Sequence, residues 1–436
     1  MSILSKLESS IEKWVAPLAG TLGQNRYLTA VKDGGLAALP FLIVGSFLLV
    51  FVFPPFPKDT TLSFARAWLD FSSNNFDTLF LPFRVSMGLT TFFMGVGIAS
   101  SLARHYKLDQ ITSSLLALFG FLLIATPFVD GNMSTRFFSG EGIFTVIAVS
   151  IFTTELYRFL IEKNITIKLP EQVPEGVARS FELLIPVIAV MLILYPLSLL
   201  IQNLTGMMIP EAIMKVLAPL VSASDSLAAV VLVVVICNVL WFCGIHGSLL
   251  VTSLMGPFWL ANLGGNQEAL ASGVEPTAVF LQGFWDHYLL IGGVGSTLPL
   301  CLLLIRSRAA HLRSVGKMSI IPGLFNINEP IMFGAPIVMN PVMFIPFLAV
   351  PIFNGILAYF MVDAGLVAKV VAVTPWTTPG PIGAAWAANW ALSAFVLSAV
   401  CMVTAYTIYY PFFKAYEKTL ALDEEKASAE LDTQNT

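Results

Sequence analysis

The chain has 436 residues, of which 56% are hydrophobic and 11% are charged, and its formal net charge is -4. Soluble domains carry about 25% charged residues, so this composition, with a mean hydropathy of +0.81, excludes an ordinary soluble enzyme and indicates an integral membrane protein. The negative net charge argues against a nucleic-acid partner.

The cysteines and the N-terminus indicate no special chemistry. All four cysteines lie in apolar runs, at spacings that fit no zinc or dithiol pattern, so we expect small buried hydrophobic residues. We also expect no metal site and no cofactor. The first 20 residues lack the clean apolar core of a cleavable signal peptide, and we expect none.

The first half of the chain predicts five membrane spans. Apolar runs of about 20 residues can cross a hydrocarbon core as helices. Such runs lie near 31–53, 78–103, 111–129, 142–160 and 180–203. Basic residues precede the first span, follow the second and lie between the fourth and fifth, so by the positive-inside rule the N-terminus is cytoplasmic. Residues 1–203 are thus predicted to form a five-span N-terminal domain.

Residues 204–225 have the pattern of an amphipathic linker. Ile209, Ile213 and Val216 recur at helical spacing, while Glu211 and Lys215 interrupt the apolar run. This pattern is typical of a helix that lies in the membrane interface rather than crossing the bilayer. Such a helix would join two halves of the protein.

The second half, residues 226–413, is less regular. Further spans are expected near 226–245, 248–263, 283–305, 338–361 and 388–412. Other stretches contain too many Gly, Pro and polar residues for simple spans, and irregular backbone at membrane depth needs protein or a water-filled cavity around it. We therefore expect re-entrant hairpins near 318–337 and 366–386.

The predicted fold is an all-α polytopic membrane protein. It has about ten transmembrane helices, two re-entrant hairpins and interfacial amphipathic helices. Counting the crossings places the polar tail, residues 414–436, in the cytoplasm.

Glu329 is the most unusual residue of the first hairpin. A carboxylate in a bilayer costs about 2.5–3.5 kcal/mol on insertion scales, so a polar cavity with a ligand explains it best. The alternative is that it caps or pairs within the hairpin. Asn326 and Asn328 flank it with amide donors and acceptors suited to hydroxyl groups.

A second cluster surrounds His246, which lies between Gly244 and Gly247 at a break between two apolar runs. Glycine allows a ligand or another backbone to approach closely. We therefore expect His246, Gly247 and the nearby Trp241 to contact a ligand. Asn238, one helical turn before Trp241, either faces the same cavity or makes a helix–helix hydrogen bond.

Trp376 and Thr377 lie in the second hairpin. Sugar rings stack on indoles while their hydroxyls need polar partners, so these residues, with those around Glu329 and His246, predict a saccharide site. The alternative for Trp376 is an interfacial aromatic belt. We expect Asp286 and His287 at the outer end of a span, in a capping or interfacial role.

Several motifs together resemble one known family. WFCGIHG at 241–247, FNINEPIMFGAPIVMNPVMFIPF at 325–347 and PWTTPGPIG at 375–383 occur in this order, and IKLPEQVPEGVARSFELLIP at 167–186 fits the same pattern. The chain resembles the sugar-specific membrane component IIC of the phosphotransferase system, in the lactose, cellobiose and diacetylchitobiose branch of the glucose superfamily.

The resemblance implies a homodimer in a bacterial plasma membrane, in contact with lipid and with both termini cytoplasmic. Residues 1–203 would form the scaffold and dimerisation domain, and residues 226–413 would form a mobile, sugar-binding transport domain. The resemblance also implies import of a β-linked disaccharide, such as cellobiose or diacetylchitobiose, by an elevator-like movement. Import would be coupled to phosphorylation of the sugar. Glu329 and His246 would lie near the hydroxyl that is phosphorylated. A phosphocysteine of a IIB protein, with IIA upstream, would supply the phosphoryl group. Only a short polar tail follows the last span, so we expect IIB and IIA to be separate polypeptides.

The rival function is a proton-coupled secondary sugar transporter in which Glu329 carries the proton, a common use of intramembrane carboxylates. A passive channel is a third and weaker alternative function. Apart from the resemblance, the residues do not separate the first two functions, because both need a polar site on broken helices at the midplane.

Overall fold

A computed structural model describes residues 24–56, 59–126, 128–129, 131–167, 170, 181–335, 337 and 340–434. Most of the motif at 167–186 and the first 23 residues lie outside these ranges. Apart from one minimal hairpin, the regular structure of the described residues is helical. That hairpin consists of β1 (Phe128–Val129) and β2 (Asn132–Met133).

The structure describes seven helices of 11 to 27 residues in the first half. They are α1 (Arg26–Val52), α2 (Ser63–Asn74), α3 (Phe76–Ser86), α4 (Thr90–His105), α5 (Gln110–Ala125), α6 (Ile143–Glu162) and α7 (Leu184–Thr205). Asn25 caps α1, because its side-chain oxygen accepts hydrogen bonds from the N–H groups of Tyr27 and Leu28. The apolar face of α5 packs on α6 and α7 and forms a separate hydrophobic core.

Close packing of α1 on α4 depends on glycine. A Cβ atom at Gly34 would lie 2.8 Å from the carbonyl oxygen of Met94, and one at Gly97 would lie 2.8 Å from the Cα of Gly34. Small residues of this kind let helix backbones approach closely in membrane proteins. The predicted second span is observed as α3 and α4, joined by a 3₁₀ turn at Met87–Leu89.

The predicted linker contains a helix, α8 (Ile209–Ser224), bent by 72° from the next helix, α9 (Leu227–Phe242). Glu211 fixes its start by accepting a hydrogen bond from the N–H of Met208, at 2.9 Å. The same carboxylate accepts one from Arg136, at 2.8 Å. These bonds tie the start of α8 to the segment that precedes α6.

Helices and irregular segments alternate in the second half. The remaining helices are α10 (Gly247–Ala271), α11 (Leu298–Ile305), α12 (Ala310–Leu324), α13 (Glu329–Gly334), α14 (Pro341–Asp363), α15 (Gly380–Ala387) and α16 (Leu392–Gln434). Between them lie the glycine turn (290–297), the hairpin turn (325–328) and the extended segment (364–379).

The predicted span at 283–305 is not a continuous helix. The chain forms the short helix Gln282–Phe284 and the π-helical turn Trp285–Leu289, and then enters the glycine turn before α11 begins. Gly292, Gly293 and Gly295 have φ values of +82°, +95° and +82°. These left-handed conformations end the helix, and they are readily available only to glycine.

Six helical stretches of the described residues are long and apolar enough to cross a membrane, with a seventh if the bent pair α8–α9 counts as one span. The shorter α5 is also apolar. These features support a multi-pass membrane protein, whereas the number of about ten crossings stays a prediction.

Two hydrogen bonds connect α1 and the residue just after it to the second half. The N–H of Val373 donates to the hydroxyl of Ser46, at 2.7 Å. The side-chain amide of Asn389 donates to the carbonyl oxygen of Phe53, also at 2.7 Å. Apolar residues of α1 and α3 also share one core with the helices that follow α8.

Candidate functional site

A cavity of about 300 Å³ lies between α1 and the irregular segments of the second half. Its size is at the lower end of the range of small-molecule sites. Six of the predicted site residues line it: Trp241, His246, Asn326, Asn328, Glu329 and Trp376. The fold therefore gathers residues that lie up to 135 positions apart in the sequence, since Trp241 and Trp376 both line the cavity.

Glu329 begins α13 and presents an exposed carboxylate to the cavity. Within the described part of the chain, its side chain has no hydrogen-bond or ion-pair partner. The alternative of a capping or pairing role inside the hairpin therefore has no support in the observed contacts. A carboxylate in this position is available to accept a hydrogen bond from a ligand hydroxyl.

Asn326 connects all three irregular segments. Its side-chain oxygen accepts a hydrogen bond from the N–H of Gly292, at 2.8 Å. Its amide donates to the carbonyl oxygens of Trp376, at 2.5 Å, and Thr378, at 3.0 Å. Asn326 has a φ of +62°, a left-handed conformation that Asn tolerates better than most residues. The side chain of Asn326 thus links the three segments that form this part of the cavity wall.

Asn328 also connects the hairpin turn to the glycine turn. Its amide donates to the carbonyl oxygen of Val294, at 2.8 Å, and to the hydroxyl of Thr297, at 3.2 Å. The side chain is buried and packs against Gly293, where a Cβ atom would lie 2.7 Å from the Asn328 Cβ. These contacts fix the residue that immediately precedes Glu329.

His246 and Trp241 meet at the break between α9 and α10. The two rings are tilted by 50°, and their centroids are 4.5 Å apart. Nδ1 of His246 accepts a hydrogen bond from the N–H of Leu249, at 3.4 Å, which leaves Nε2 as the ring's donor. The indole N–H of Trp241 donates to the hydroxyl of Ser248, at 3.2 Å.

Three predicted site residues do not line the cavity. The buried amide of Asn238 donates to the carbonyl oxygen of Val234 in its own helix, at 2.8 Å. Gly247 lies against α9, where a Cβ atom would be 3.0 Å from the Cα of Cys237, so its lack of a side chain serves helix packing. Thr377 is half-buried beside Trp376 but outside the cavity wall.

The cavity also contains residues that the sequence did not predict. Asp286 is only 7% exposed and lines the cavity, so it is not the exposed capping or interfacial residue that the sequence suggested. One of its carboxylate oxygens has no hydrogen-bond partner. Lys32, on α1, contributes a cation from the other half of the protein. Neither residue belongs to a recognisable motif, and the helical spacing of Lys32, Leu36 and Leu39 is the one signal that could have found Lys32.

The arrangement suits a polyhydroxylated ligand. Trp241 and the half-exposed Trp376 offer apolar ring faces, while Glu329, His246 and Asp286 offer hydrogen-bonding groups. Among the described residues there is no group of three or more His, Cys, Asp or Glu side chains that could hold a metal ion. Of the four free cysteines, Cys237, Cys301 and Cys401 are buried, as expected from the sequence, and Cys243 is half-buried.

Comparisons with known proteins match most of the chain. A family model described as "Phosphotransferase system, EIIC" matches residues 32–351. The chain is 36% identical to the cellobiose-specific EIIC component of Geobacillus stearothermophilus, over 95% of each chain. It is 33% identical to the lactose-specific EIICB component of Staphylococcus epidermidis, over 99% of this chain and 76% of the relative.

A solved structure is similar in both fold and sequence. It is the transporter ChbC, the IIC component of an N,N'-diacetylchitobiose-specific phosphotransferase system. The TM-score is 0.87 and the identity is 33%, with 95% of this chain and 99% of ChbC covered.

Proposed function

Because the chain belongs to the phosphotransferase system EIIC family, we propose that its cavity binds a β-linked disaccharide, such as cellobiose or diacetylchitobiose, for import coupled to phosphorylation. The cellobiose-specific relative and the diacetylchitobiose-specific ChbC support this class of sugar. The observation that carries the proposal is the unpartnered carboxylate of Glu329 in a cavity that three tryptophans line, Trp241, Trp285 and Trp376.

In the proposed reaction, a sugar hydroxyl attacks the phosphorus of a phosphocysteine on the IIB partner. The new O–P bond forms as the S–P bond breaks, the cysteine sulfur leaves as a thiolate, and Glu329 takes the hydroxyl proton. Phosphoryl transfer depends mainly on positioning and electrostatics. Glu329 would orient the hydroxyl and act as its base, and Nε2 of His246 would donate a hydrogen bond to the sugar.

Asn326 and Asn328 support this site by positioning. Their amides are engaged by backbone groups, so they hold Glu329 and Trp376 in place rather than offering free donors to the sugar. Asp286 is a further candidate acceptor for sugar hydroxyls, since one of its oxygens has no partner.

A phosphorylated IIB protein, itself supplied by IIA, is the proposed partner. The lactose-specific relative from Staphylococcus epidermidis is named an EIICB component, which supports a IIB unit working with a chain of this kind. We also propose a homodimer in the bacterial plasma membrane with both termini cytoplasmic, residues 1–203 as its scaffold and residues 226–413 as a moving transport domain.

Glu329→Gln tests the assigned reaction. The exposed carboxylate has no partner to lose, so the variant should fold and insert normally, while its formation of sugar phosphate should fall at least about 100-fold, as expected when a general base is removed. The measurement uses membrane vesicles supplied with phosphorylated IIB and labelled cellobiose. Wild-type rates of sugar-phosphate formation in this variant would remove Glu329 from the mechanism.

The rival proton-coupled function has a different signature. Uptake by the wild-type chain should require phosphoenolpyruvate, deliver phosphorylated sugar, and continue after a protonophore collapses the proton gradient. Accumulation of unmodified sugar that stops on addition of the protonophore would instead assign Glu329 to proton transport.

A further inference from the structure

We propose that Lys32 binds the phosphoryl group of the sugar phosphate formed in the cavity. This inference rests on the proposed function. Four ionisable side chains line the cavity: Lys32, His246, Asp286 and Glu329. Lys32 is the one Lys or Arg among the lining residues that the structure describes.

Lys32 is directed to the cavity by its place on α1. Lys32, Leu36 and Leu39 recur at i, i+4 and i+7, so they lie on one face of the helix, and all three line the cavity. The ammonium group has a single ion-pair contact, with the adjacent Asp33 at 4.0 Å. Asp33 in turn accepts a hydrogen bond from Ser101, at 2.6 Å, which leaves Lys32 weakly engaged.

The position of Lys32 fits the direction from which the phosphoryl group would arrive. At a rise of 1.5 Å per residue, Lys32 lies about 9 Å from the start of α1 and Leu39 about 10 Å deeper. The start of α1 is the proposed cytoplasmic end, where IIB would present its phosphocysteine. Lys32 therefore lies at the end of the cavity that faces the donor.

Charge balance supplies the chemical reason. The transferred phosphoryl group carries negative charge on its equatorial oxygens in the transition state, and the product sugar phosphate carries up to two negative charges. Glu329 and Asp286 place carboxylates in the same cavity, which would disfavour such a group. An ammonium ion offsets this repulsion and stabilises charge that is absent from the free sugar.

The test separates binding of sugar from binding of sugar phosphate. In detergent-solubilised protein, Lys32→Gln should bind cellobiose within about threefold of the wild type, because an uncharged sugar gains little from a cation. It should bind cellobiose phosphorylated on its 6′-hydroxyl about 10- to 100-fold more weakly, the value of one charge-assisted hydrogen bond. Lys32→Arg keeps the charge and should retain most of the phosphosugar affinity.

Lys163→Gln is the matched control, because Lys163 is an exposed cation after α6 that lies outside the cavity. It should bind both ligands as the wild type does. Unchanged phosphosugar affinity in Lys32→Gln, or an equal loss for both ligands, would overturn the assignment. If the wild type with phosphorylated IIB forms no sugar phosphate, the proposed function itself fails, independently of these binding results.

Discussion

Two regions of the molecule satisfy their backbone hydrogen bonds in different ways. One is the contact between α1 and α4, and the other is the junction of the three irregular segments. In the first, two regular helices satisfy their own backbone hydrogen bonds and approach through Gly34 and Gly97. In the second, the backbone leaves the helical conformation, and the side chains of Asn326 and Asn328 satisfy backbone groups that helices would have paired internally. A membrane protein can expose irregular backbone to a ligand only with such internal partners.

The difference suggests a division of labour. Regular helices without polar requirements make a rigid frame, whereas the irregular junction places Glu329, Trp376 and the glycine turn around one cavity. The two regions still meet, through the hydrogen bonds of Ser46 and Asn389. Variants can therefore test each region and the contact between them.

The largest effect is expected from locking the two regions together. A cysteine pair at Phe53 and Asn389, introduced after replacement of the four native cysteines, should cross-link where the native hydrogen bond lies. If transport requires the transport domain to move as a body, oxidation should abolish uptake, and reduction should restore it. Uptake at the normal rate by fully cross-linked protein would contradict rigid-body movement and require local gating by the hairpins.

Asn326→Ala should cause the next largest loss, in stability. It removes three hydrogen bonds, one to the buried N–H of Gly292 and two to part-buried carbonyl oxygens of the extended segment. The buried N–H alone costs about 1–3 kcal/mol when it is unsatisfied. Thermal unfolding in detergent should show a clear decrease in Tm. Asn74→Ala, at an exposed helix end, is the control and should unfold like the wild type. Equal Tm values for the two variants would show that the junction does not depend on Asn326.

His246→Ala should have the smallest effect, on affinity. Loss of the Nε2 donor and of the ring beside Trp241 should weaken cellobiose binding about tenfold, which corresponds to about 1.4 kcal/mol. Expression and Tm should change little, because the imidazole is exposed and its hydrogen bond to Leu249 is long. Unchanged affinity in equilibrium binding would reduce His246 to a helix-capping residue.

The regular part of the fold could be predicted well from the sequence. Apolar runs long enough to cross a bilayer identify α1, α4, α6, α7, α14 and α16 because a regular helix in lipid needs nothing beyond apolar side chains. The span expected at 283–305 shows the limit of this reasoning. Its apolar composition fits a helix, but the left-handed conformations of three glycines depend on tertiary contacts that hydropathy does not encode.

The candidate site was predictable where residue chemistry was unusual for a membrane. Glu329, His246 and Trp376 stood out for this reason, and the structure brings them to one cavity. The positions of Asn326 and Asn328 were also evident, but the geometry shows amides engaged by backbone instead of free for hydroxyls. Lys32 resembled an ordinary basic residue of a cytoplasmic flank. Its helical spacing with Leu36 and Leu39 places the three residues on one face of α1, but the packing of α1 is needed to show that this face meets the cavity.

The two hydrogen bonds that join Ser46 to Val373 and Asn389 to Phe53 have a consequence for the population of conformations. The proposed movement would separate these partners, each bond being worth about 1 kcal/mol net. Together they favour the present arrangement over a separated one by a factor of about 30, unless the moved domain regains equivalent bonds. A small molecule that bridges the two residues of either pair would stabilise the present arrangement further. It would inhibit transport by lowering the population of the separated arrangement, without entering the sugar cavity.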